Sequence, residues 1–268
     1  MGRLQGKVAL VTGGGGGLGR AMVDTFVEQG AAVLILEIEP ERAKETEATL
    51  SAKGYQVVAR IGDVTRENDV REAVVACVAR WQRLDILINN AGVAAAGPAN
   101  LTDLDMREWH RLLDVNLNGP MLCIRHAAPA IRDSGGGSII NVSSISARSC
   151  YPGQGSYGIS KAALDALTLQ SAVELGEWNI RVNSMGLGWF RTPFNEHAYR
   201  KPGELERRNA TIPLRRIGSM QDAANLALFL ASDESSYITG ESIESDGGLY
   251  AASLKLSADL ARLRPTPD

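Results

Sequence analysis

Tyr157 and Lys161 are the two side chains of this sequence whose types and spacing are best suited to chemistry. They are four residues apart, so on a helix they lie on one face and their polar ends can reach the same ligand. A phenol has a pKa of about 10, and a neighbouring ammonium favours its ionised form, which suits proton exchange with an alcohol or carbonyl oxygen. The spacing predicts an acid/base pair; a solvated helix face is the alternative interpretation.

The glycine-rich segment 12–19, Thr-Gly-Gly-Gly-Gly-Gly-Leu-Gly, is a second candidate for chemistry. It follows a β-rich run at 7–12 and precedes a helical pattern at 18–29. Glycines allow a sharp turn there, and the backbone N–H groups and the helix N-terminus can then face a pyrophosphate. No Lys-Ser/Thr pair follows, so the segment is not a P-loop. A flexible loop is the competing explanation.

Strand and helix patterns alternate along the chain, which predicts βαβ units and a parallel sheet. We therefore expect a single-domain, doubly wound Rossmann fold over 1–268, with helices on both faces of the sheet. The predicted strands are 7–12, 32–37, 56–61, 85–88, 138–142, 180–183 and 242–245. The predicted helices are 18–29, 41–53, a helical stretch within 105–131, 156–177 and 221–231, and 185–219 is predicted to be irregular.

Further motifs follow the glycine turn in order. They are Asn-Asn-Ala-Gly at 89–92, Asn116 in a Val-Asn-Leu context, Ser144 thirteen residues before Tyr157, and Asp-Gly-Gly at 246–248. With the Thr-Gly-x-x-x-Gly-x-Gly spacing of 12–19, they resemble the signatures of short-chain dehydrogenases/reductases. The resemblance spans nearly the whole chain. It implies an enzyme that transfers a hydride between a nicotinamide cofactor and a secondary alcohol or ketone.

The resemblance also implies a role for each residue of the set Asn116, Ser144, Tyr157 and Lys161. Tyr157 is the acid/base, and Lys161 holds the nicotinamide ribose hydroxyls. Ser144 positions the substrate oxygen, and Asn116 supports a water that links Lys161 to solvent. Ser143 competes with Ser144, but the family spacing to the tyrosine selects the second serine. Asn118 competes with Asn116, but it directly precedes Gly-Pro and lies near a local break.

Glu37 indicates that the cofactor is NAD(H) rather than NADP(H). It ends the second predicted strand, where a carboxylate can accept hydrogen bonds from both adenine-ribose hydroxyls and would repel a 2′-phosphate. No Arg or Lys occurs within 13–19 or at Ile38 to neutralise that phosphate. An exposed strand-end glutamate is the alternative interpretation.

Other cofactor contacts are implied by the resemblance. Asp63 and Val64 match an adenine-contacting turn, although a turn-capping Asp is almost as plausible. Thr192 fits the residue whose hydroxyl meets the nicotinamide carboxamide. The remaining expected cofactor residues are Gly13, Gly17, Leu18, Gly19, Asn90, Ala91, Gly92 and Tyr157.

The sequence departs from the family pattern after the sixth strand, where Leu187 replaces a proline that normally precedes glycine. The change removes a fixed φ and adds a backbone N–H, so the loop is expected to be more mobile or redirected. The following segment 193–218 is expected to cover the substrate, and 249–268 forms a C-terminal extension. Candidate substrate contacts are Trp189, Arg191, His197, Arg200, Cys150 and Gln154, each with packing or a solvated surface as the alternative.

Composition limits the remaining classes of function. The net charge of −3 argues against nucleic-acid binding, and no apolar run is long enough to cross a membrane. The cysteines Cys77, Cys123 and Cys150 are far apart and lack neighbouring histidines, so neither a metal site nor a disulfide framework is predicted. We expect a soluble cytoplasmic protein acting on a small molecule, and the resemblance implies a homotetramer or homodimer.

Two other functions fit the same sequence. One is an NADPH-linked 3-oxoacyl-thioester reductase, which Glu37 argues against. The other is a non-catalytic NAD(H)-binding protein, because a fold does not fix a function.

Overall fold

The computed structural model describes residues 2–192 and 196–252. Their strands form a seven-stranded sheet in the order β3-β2-β1-β4-β5-β6-β7, and every pairing is parallel. The strands are β1 Val8–Thr12, β2 Ala32–Glu37, β3 Val57–Ile61, β4 Ile86–Asn89, β5 Gly137–Ser144, β6 Ile180–Leu187 and β7 Ser242–Ser245. The α-helices are α1 Gly17–Glu28, α2 Pro40–Ser51, α3 Glu67–Trp81, α4 Met106–Leu113, α5 Gly119–Asp133, α6 Tyr157–Leu175, α7 Glu204–Thr211 and α8 Met220–Ala231.

The sheet is buried on both faces because successive side chains of a strand point to opposite sides. On β1, Ala9 and Val11 pack with apolar residues of α1, α2 and α8. Val8 and Leu10 pack on the other face with residues of α3, α5 and α6. The predicted doubly wound fold with helices on both faces is confirmed.

Strands β1 and β4 are neighbours, but the chain continues from them to opposite edges of the sheet. From β1 it leads to β2 and β3 on one side, and from β4 it leads to β5, β6 and β7 on the other. In sheets of this kind the crevice at the carboxyl ends of such strands is the usual ligand site. Thr12 ends β1 and Asn89 ends β4, so the glycine turn and the Asn-Asn-Ala-Gly motif open onto the same crevice.

Two helices differ from the sequence-based assignment. Helix α3 has no predicted counterpart, although its buried residues Val70, Ala73, Val74 and Cys77 have helical spacing. The stretch 185–219 was expected to be irregular, but β6 continues to Leu187 and α7 lies within it. Helix α7 has no buried residue and a low apolar content, so periodicity could not reveal it.

The cysteines are free thiols in different environments. Cys77 and Cys123 are buried, and burial raises the pKa of each thiol to about 12. Cys150 is exposed on the loop before α6. Within residues 2–192 and 196–252, no helix combines the length and apolarity needed to span a bilayer.

Asp85 joins the beginnings of β1 and β4. Its buried carboxylate accepts hydrogen bonds from the Val8 backbone N–H at 2.8 Å and from the Arg83 guanidinium at 2.6 and 2.8 Å. The charge is thus paired while the strand end gains a backbone partner.

Asp85→Ala should lower the free energy of unfolding by about 2–3 kcal/mol, because a buried N–H and a half-exposed guanidinium lose their acceptor. Urea unfolding measures this value. The control Asp133→Ala removes an exposed pair with Arg132 and should change stability by less than about 0.5 kcal/mol. Equal effects of the two substitutions would contradict this role of Asp85.

Candidate active site

The glycine turn after β1 needs glycine for two separate reasons. Gly13 and Gly17 have φ values of +64° and +53°, which side chains rarely adopt. At Gly19 an added Cβ would lie 2.1 Å from the Gly13 carbonyl oxygen, so α1 packs directly on the turn. Helix α1 begins with no side-chain cap and no acidic residue in its first turn. Its N–H groups and positive dipole end therefore suit a pyrophosphate.

Asn90 fixes the shape of this turn from the neighbouring strand. Its side-chain amide donates to the carbonyl oxygens of Thr12 at 2.9 Å and Gly13 at 3.0 Å. The Thr12 hydroxyl in turn accepts the backbone N–H groups of Asn90 and Ala91, each at 3.0 Å. The two motifs form one hydrogen-bonded unit at the sheet crevice.

Gly92 connects this unit to the second group of predicted residues. An added Cβ would lie 3.3 Å from Asn116 Oδ1 and 3.6 Å from Lys161 Nζ. The buried Asn116 lies in a π-helical turn, Asp114–Asn118, between α4 and α5. Its side chain exchanges hydrogen bonds of 2.9 Å with the Val93 backbone and donates to Ser160 Oγ at 3.1 Å. A π-turn of this kind is frequent at functional sites.

The competing asparagine, Asn118, is exposed and donates to Asp114 Oδ1. Only Asn116 of the two faces Gly92 and helix α6. The preference for Asn116 on sequence grounds agrees with this placement.

Tyr157 is the first residue of α6, and Lys161 follows one turn later with its ammonium buried. Lys161 Nζ donates to the Val142 carbonyl oxygen at 2.8 Å and lies 5.9 Å from the centre of the Tyr157 ring. Ser144, at the end of β5, is close enough to the Tyr157 hydroxyl to lower its pKa. Ser143 instead donates to the Lys161 carbonyl oxygen at 3.4 Å. The second serine is therefore the one that reaches the tyrosine.

The pKa values differ from the simple expectation for a Tyr-Lys pair. Burial raises the pKa of Tyr157 above its usual range, the nearby Ser144 opposes this, and Tyr151 adds to it. Burial also lowers the pKa of Lys161 to about 8, against the opposing charge of Asp165. The predicted lowering of the Tyr157 pKa by Lys161 is thus not the net effect, because burial dominates and the ammonium binds Val142.

Ser146 and Gln154 form a supporting network that the sequence did not assign. The Ser144 hydroxyl accepts the Ser146 backbone N–H at 3.1 Å, and Gln154 Nε2 donates to Ser146 Oγ at 2.8 Å. Gln154 is buried, so its amide holds the loop before α6 rather than being presented as a substrate contact. No motif spacing pointed to this network.

Glu37 is buried at the end of β2, not exposed. Its Oε2 accepts the Gly15 N–H at 2.9 Å, and its Oε1 accepts the Glu39 N–H at 3.1 Å. A carboxylate has about four lone-pair sites, so each oxygen retains capacity for a ribose hydroxyl. The turn has a neighbouring cation outside 13–19 and Ile38, because α2 places the Arg42 side chain against Gly15 and Gly16.

The Asp63 carboxylate caps its own turn by accepting from the backbone N–H and hydroxyl of Thr65 at 2.9 and 2.8 Å. This is the capping role weighed against the adenine contact. Val64 is buried and packs against Gly119 at the start of α5. Both capping bonds use Oδ1, so they leave Oδ2 of Asp63 as a possible adenine contact.

The region after β6 is held at both ends. Leu187, at the family's proline position, is buried and pairs with Ser144 and Ser245 in the sheet. The Gly218 N–H donates to the Trp189 carbonyl oxygen at 2.8 Å, and the Leu214 N–H donates to Gly247 at 3.1 Å. Leu187 is therefore the last residue of β6.

The other predicted substrate contacts in this region are only partly described. Half-buried Thr192 ends the first described range, while exposed Arg191 pairs with Glu196. The Arg208 guanidinium lies 5.0 Å from the ring centres of both Trp189 and Tyr199, a packing role that the sequence did not predict. Arg200 is exposed. Residues 193–195 and 253–268 of the predicted loop and extension, and the side chain of His197, lie outside the described part.

A glycine turn at a sheet crevice, joined to a half-buried tyrosine and to buried lysine, serine and asparagine side chains, is the arrangement of a dinucleotide-dependent oxidoreductase. Residues 14–250 match a family model described as enoyl-(acyl carrier protein) reductase. The chain is 36% identical over 247 residues to a 3-oxoacyl-(acyl-carrier-protein) reductase of Thermotoga maritima, covering 92% of this chain and 99% of that protein.

Solved structures give the same result. A short-chain type dehydrogenase/reductase from Mycobacterium ulcerans has a TM-score of 0.87 and 34% identity, covering 98% of this chain and 99% of its own. A 7α-hydroxysteroid dehydrogenase complexed with NADH and 7-oxo glycochenodeoxycholic acid has a TM-score of 0.87 and 32% identity, covering 92% and 95%. The chain belongs to the short-chain dehydrogenase/reductase family, a family of oxidoreductases that act on small alcohols and carbonyl compounds with a nicotinamide cofactor.

Lys161→Met should change how the free energy of unfolding depends on pH. The pKa of Lys161 is about 8 in the folded chain and about 10.4 in the unfolded chain. Between these two pH values the Lys161 side chain is therefore protonated to a smaller extent in the folded chain. Stability from this group therefore rises with pH across that window. Between about pH 8 and 10, wild type should gain about 2 kcal/mol relative to Lys161→Met in urea unfolding.

Lys44→Met, at an exposed lysine of α2, is the matched control and should follow wild type over the same range. Parallel pH curves for wild type and Lys161→Met would show that the ammonium is not perturbed by burial.

Proposed function

We propose that this chain transfers a hydride between NAD(H) and a secondary alcohol or its ketone, with Tyr157 as the general acid/base. The observation that carries the proposal is the placement of Ser144 close to the Tyr157 hydroxyl and of the buried Lys161 ammonium one helical turn away, with Gly92 linking this group to the glycine turn. A phenol and a serine hydroxyl that lie close together can both reach one substrate oxygen. This is the geometry that acid/base work on a carbinol requires.

The residues that would hold NAD(H) fit its parts in order. The N-terminus of α1, with Gly13, Gly17, Leu18 and Gly19, suits the pyrophosphate. Glu37 suits the adenine ribose, and the Asp63-Val64 turn suits the adenine. The segment Asn90-Ala91-Gly92 leads toward the nicotinamide end, where Lys161 suits the ribose hydroxyls and Thr192 the carboxamide. The bound cofactor supplies the hydride acceptor or donor.

Tyr157 takes the proton from the substrate hydroxyl during oxidation and returns one to the carbonyl oxygen during reduction. Ser144 holds that oxygen and, through its nearby hydroxyl, favours the ionised phenol that burial disfavours. Asn116 keeps the Val93 segment and Ser160 in place beside Lys161. Lys161 supplies positive charge at the site, held in place by the Val142 carbonyl.

The preference for NAD(H) rests on Glu37. Gly15 and Glu39 fix the carboxylate through backbone N–H groups, so it cannot swing away from the ribose position without losing two hydrogen bonds. A 2′-phosphate brought there would meet a fixed like charge.

We also propose that the chain is a single-domain protein of the cytoplasm that forms a homodimer or homotetramer. Helix α6 exposes the apolar side chains of Ile159, Leu169 and Val173 on its outer side, and such a face suits a second copy of the chain. Three free cysteines are compatible with a reducing compartment.

A second candidate function is reduction of a 3-oxoacyl thioester with NADPH. It is favoured by the Thermotoga maritima relative, and the family model, described as enoyl-(acyl carrier protein) reductase, shares with it only the acyl-carrier-protein substrate. Glu37 argues against NADPH as the preferred cofactor. A non-catalytic NAD(H)-binding role would leave the Ser144–Tyr157 pair and the buried Lys161 without a purpose.

Tyr157→Phe should lower turnover at least about 100-fold, because only the proton-transferring hydroxyl is removed. NADH affinity should change less than about twofold, since the ring and the fold are retained. Turnover is followed by NADH absorbance over a panel of secondary alcohols and ketones. Tyr237→Phe, at a fully exposed tyrosine, is the control and should turn over as wild type does. Near-wild-type rates for Tyr157→Phe would contradict the assignment of Tyr157 as the general acid/base.

Glu37→Gln should weaken NADH binding about tenfold, because the ribose hydroxyls lose a negatively charged acceptor. It should also reduce the discrimination against NADPH, because the charge that repels the 2′-phosphate is removed. Fluorescence titration with each dinucleotide measures both effects. Glu41→Gln, exposed on the first turn of α2, should bind both as wild type does. Tighter binding of NADPH than NADH by wild type would contradict the cofactor preference.

A further inference from the structure

Arg42 lies against the glycine turn although it is distant from it in sequence. An added Cβ on Gly15 would be 2.9 Å from Arg42 Cβ, and one on Gly16 would be 3.6 Å from Arg42 Cδ and 3.9 Å from Nη1. The side chain therefore runs across the outside of the turn, and its guanidinium lies near Gly16. That is between the proposed pyrophosphate site at the turn and Glu37, the proposed contact of the adenine ribose.

Helix α2 is tied to the turn, which fixes the direction of Arg42. Thr46 is one helical turn beyond Arg42, so the two share a face of α2. The buried Thr46 hydroxyl donates to the Gly15 carbonyl oxygen at 3.4 Å and accepts from Arg20 Nη1 at 3.1 Å. The position of Arg42 is thus set by a buried contact and not by its own flexible chain.

The Arg42 guanidinium has no hydrogen bond or ion pair within residues 2–192 and 196–252. Glu37 also lies against Gly15, yet its carboxylate is bound by the N–H groups of Gly15 and Glu39 rather than by Arg42. A carboxylate and an unpaired guanidinium therefore flank the same part of the turn without neutralising each other. A cation left unpaired beside an anion-binding turn is suited to a further anionic group.

We propose that Arg42 is a second specificity-determining residue, which gives a counter-charge to the 2′-phosphate of NADP(H). Glu37 favours the free ribose hydroxyl and Arg42 favours the phosphate. The chain therefore binds NAD(H) more tightly but accepts NADP(H) as a second cofactor. A 2′-phosphate carries close to two negative charges at neutral pH, so one guanidinium offsets much of its repulsion from Glu37. The inference rests on the proposed use of a nicotinamide dinucleotide at this turn.

The test is fluorescence titration of NADH and NADPH against wild type, Arg42→Gln, Glu37→Gln and the double variant. Arg42→Gln should weaken NADPH binding about tenfold and NADH binding less than about twofold. The gain in NADPH affinity from Glu37→Gln should disappear in the double variant. Added salt should weaken NADPH binding to wild type more than to Arg42→Gln, because the contact is an exposed charge pair.

Lys44→Gln is the matched control. Lys44 has the same charge, is exposed on the same helix, and lies on the opposite side of α2 from the turn. It should leave the affinity for both dinucleotides unchanged.

Equal effects of Arg42→Gln on NADH and NADPH, no effect on either, or an equal effect of Lys44→Gln would overturn the inference. The test measures dinucleotide affinity and not turnover, so the role of Arg42 can fail or hold independently of the proposed reaction. An Arg42-dependent affinity for NADPH without oxidation of any alcohol would contradict hydride transfer and leave the inference intact. Failure of wild type to bind either dinucleotide would contradict both.

Discussion

The buried hydrogen bond from the Lys161 ammonium to the Val142 carbonyl oxygen holds together the two elements that carry Tyr157 and Ser144. It joins helix α6, which begins with Tyr157, to the end of β5, which leads to Ser144. Burial lowers the pKa of the ammonium to about 8, and the Val142 carbonyl oxygen gives it a hydrogen-bond partner in place of water. The contact therefore holds Tyr157 and Ser144 on neighbouring elements.

The proposed cofactor site is also held by hydrogen bonds between the side chains of one segment and the backbone of the next. Asn90 fixes the carbonyl oxygens of Thr12 and Gly13, and Thr12 fixes the backbone after β4. Gly92 then approaches both Asn116 and Lys161. The parallel sheet makes this possible, because the carboxyl ends of β1, β4 and β5 lie side by side at one edge.

The sequence predicted those parts that depend on spacing or on local backbone conformation. The strand pattern gave the doubly wound sheet, and the motif order placed Asn116, Ser144, Tyr157 and Lys161 in one group. Contacts between distant segments could not be read in this way. Arg42 reaches the glycine turn only because α2 folds back over it, and Gln154 supports Ser144 through Ser146. The pKa of Tyr157 was predicted in the wrong direction because burial, which spacing does not reveal, outweighs the nearby charge.

The most direct test of the account follows the hydride itself. A secondary alcohol that the enzyme oxidises is labelled with deuterium on the carbinol carbon, and the reduced cofactor is isolated and examined by mass spectrometry and NMR. The account predicts one deuterium at C4 of the nicotinamide for each ketone formed. Ketone formation with the label released to water, or binding of NAD without oxidation of any alcohol in a broad panel, would contradict it.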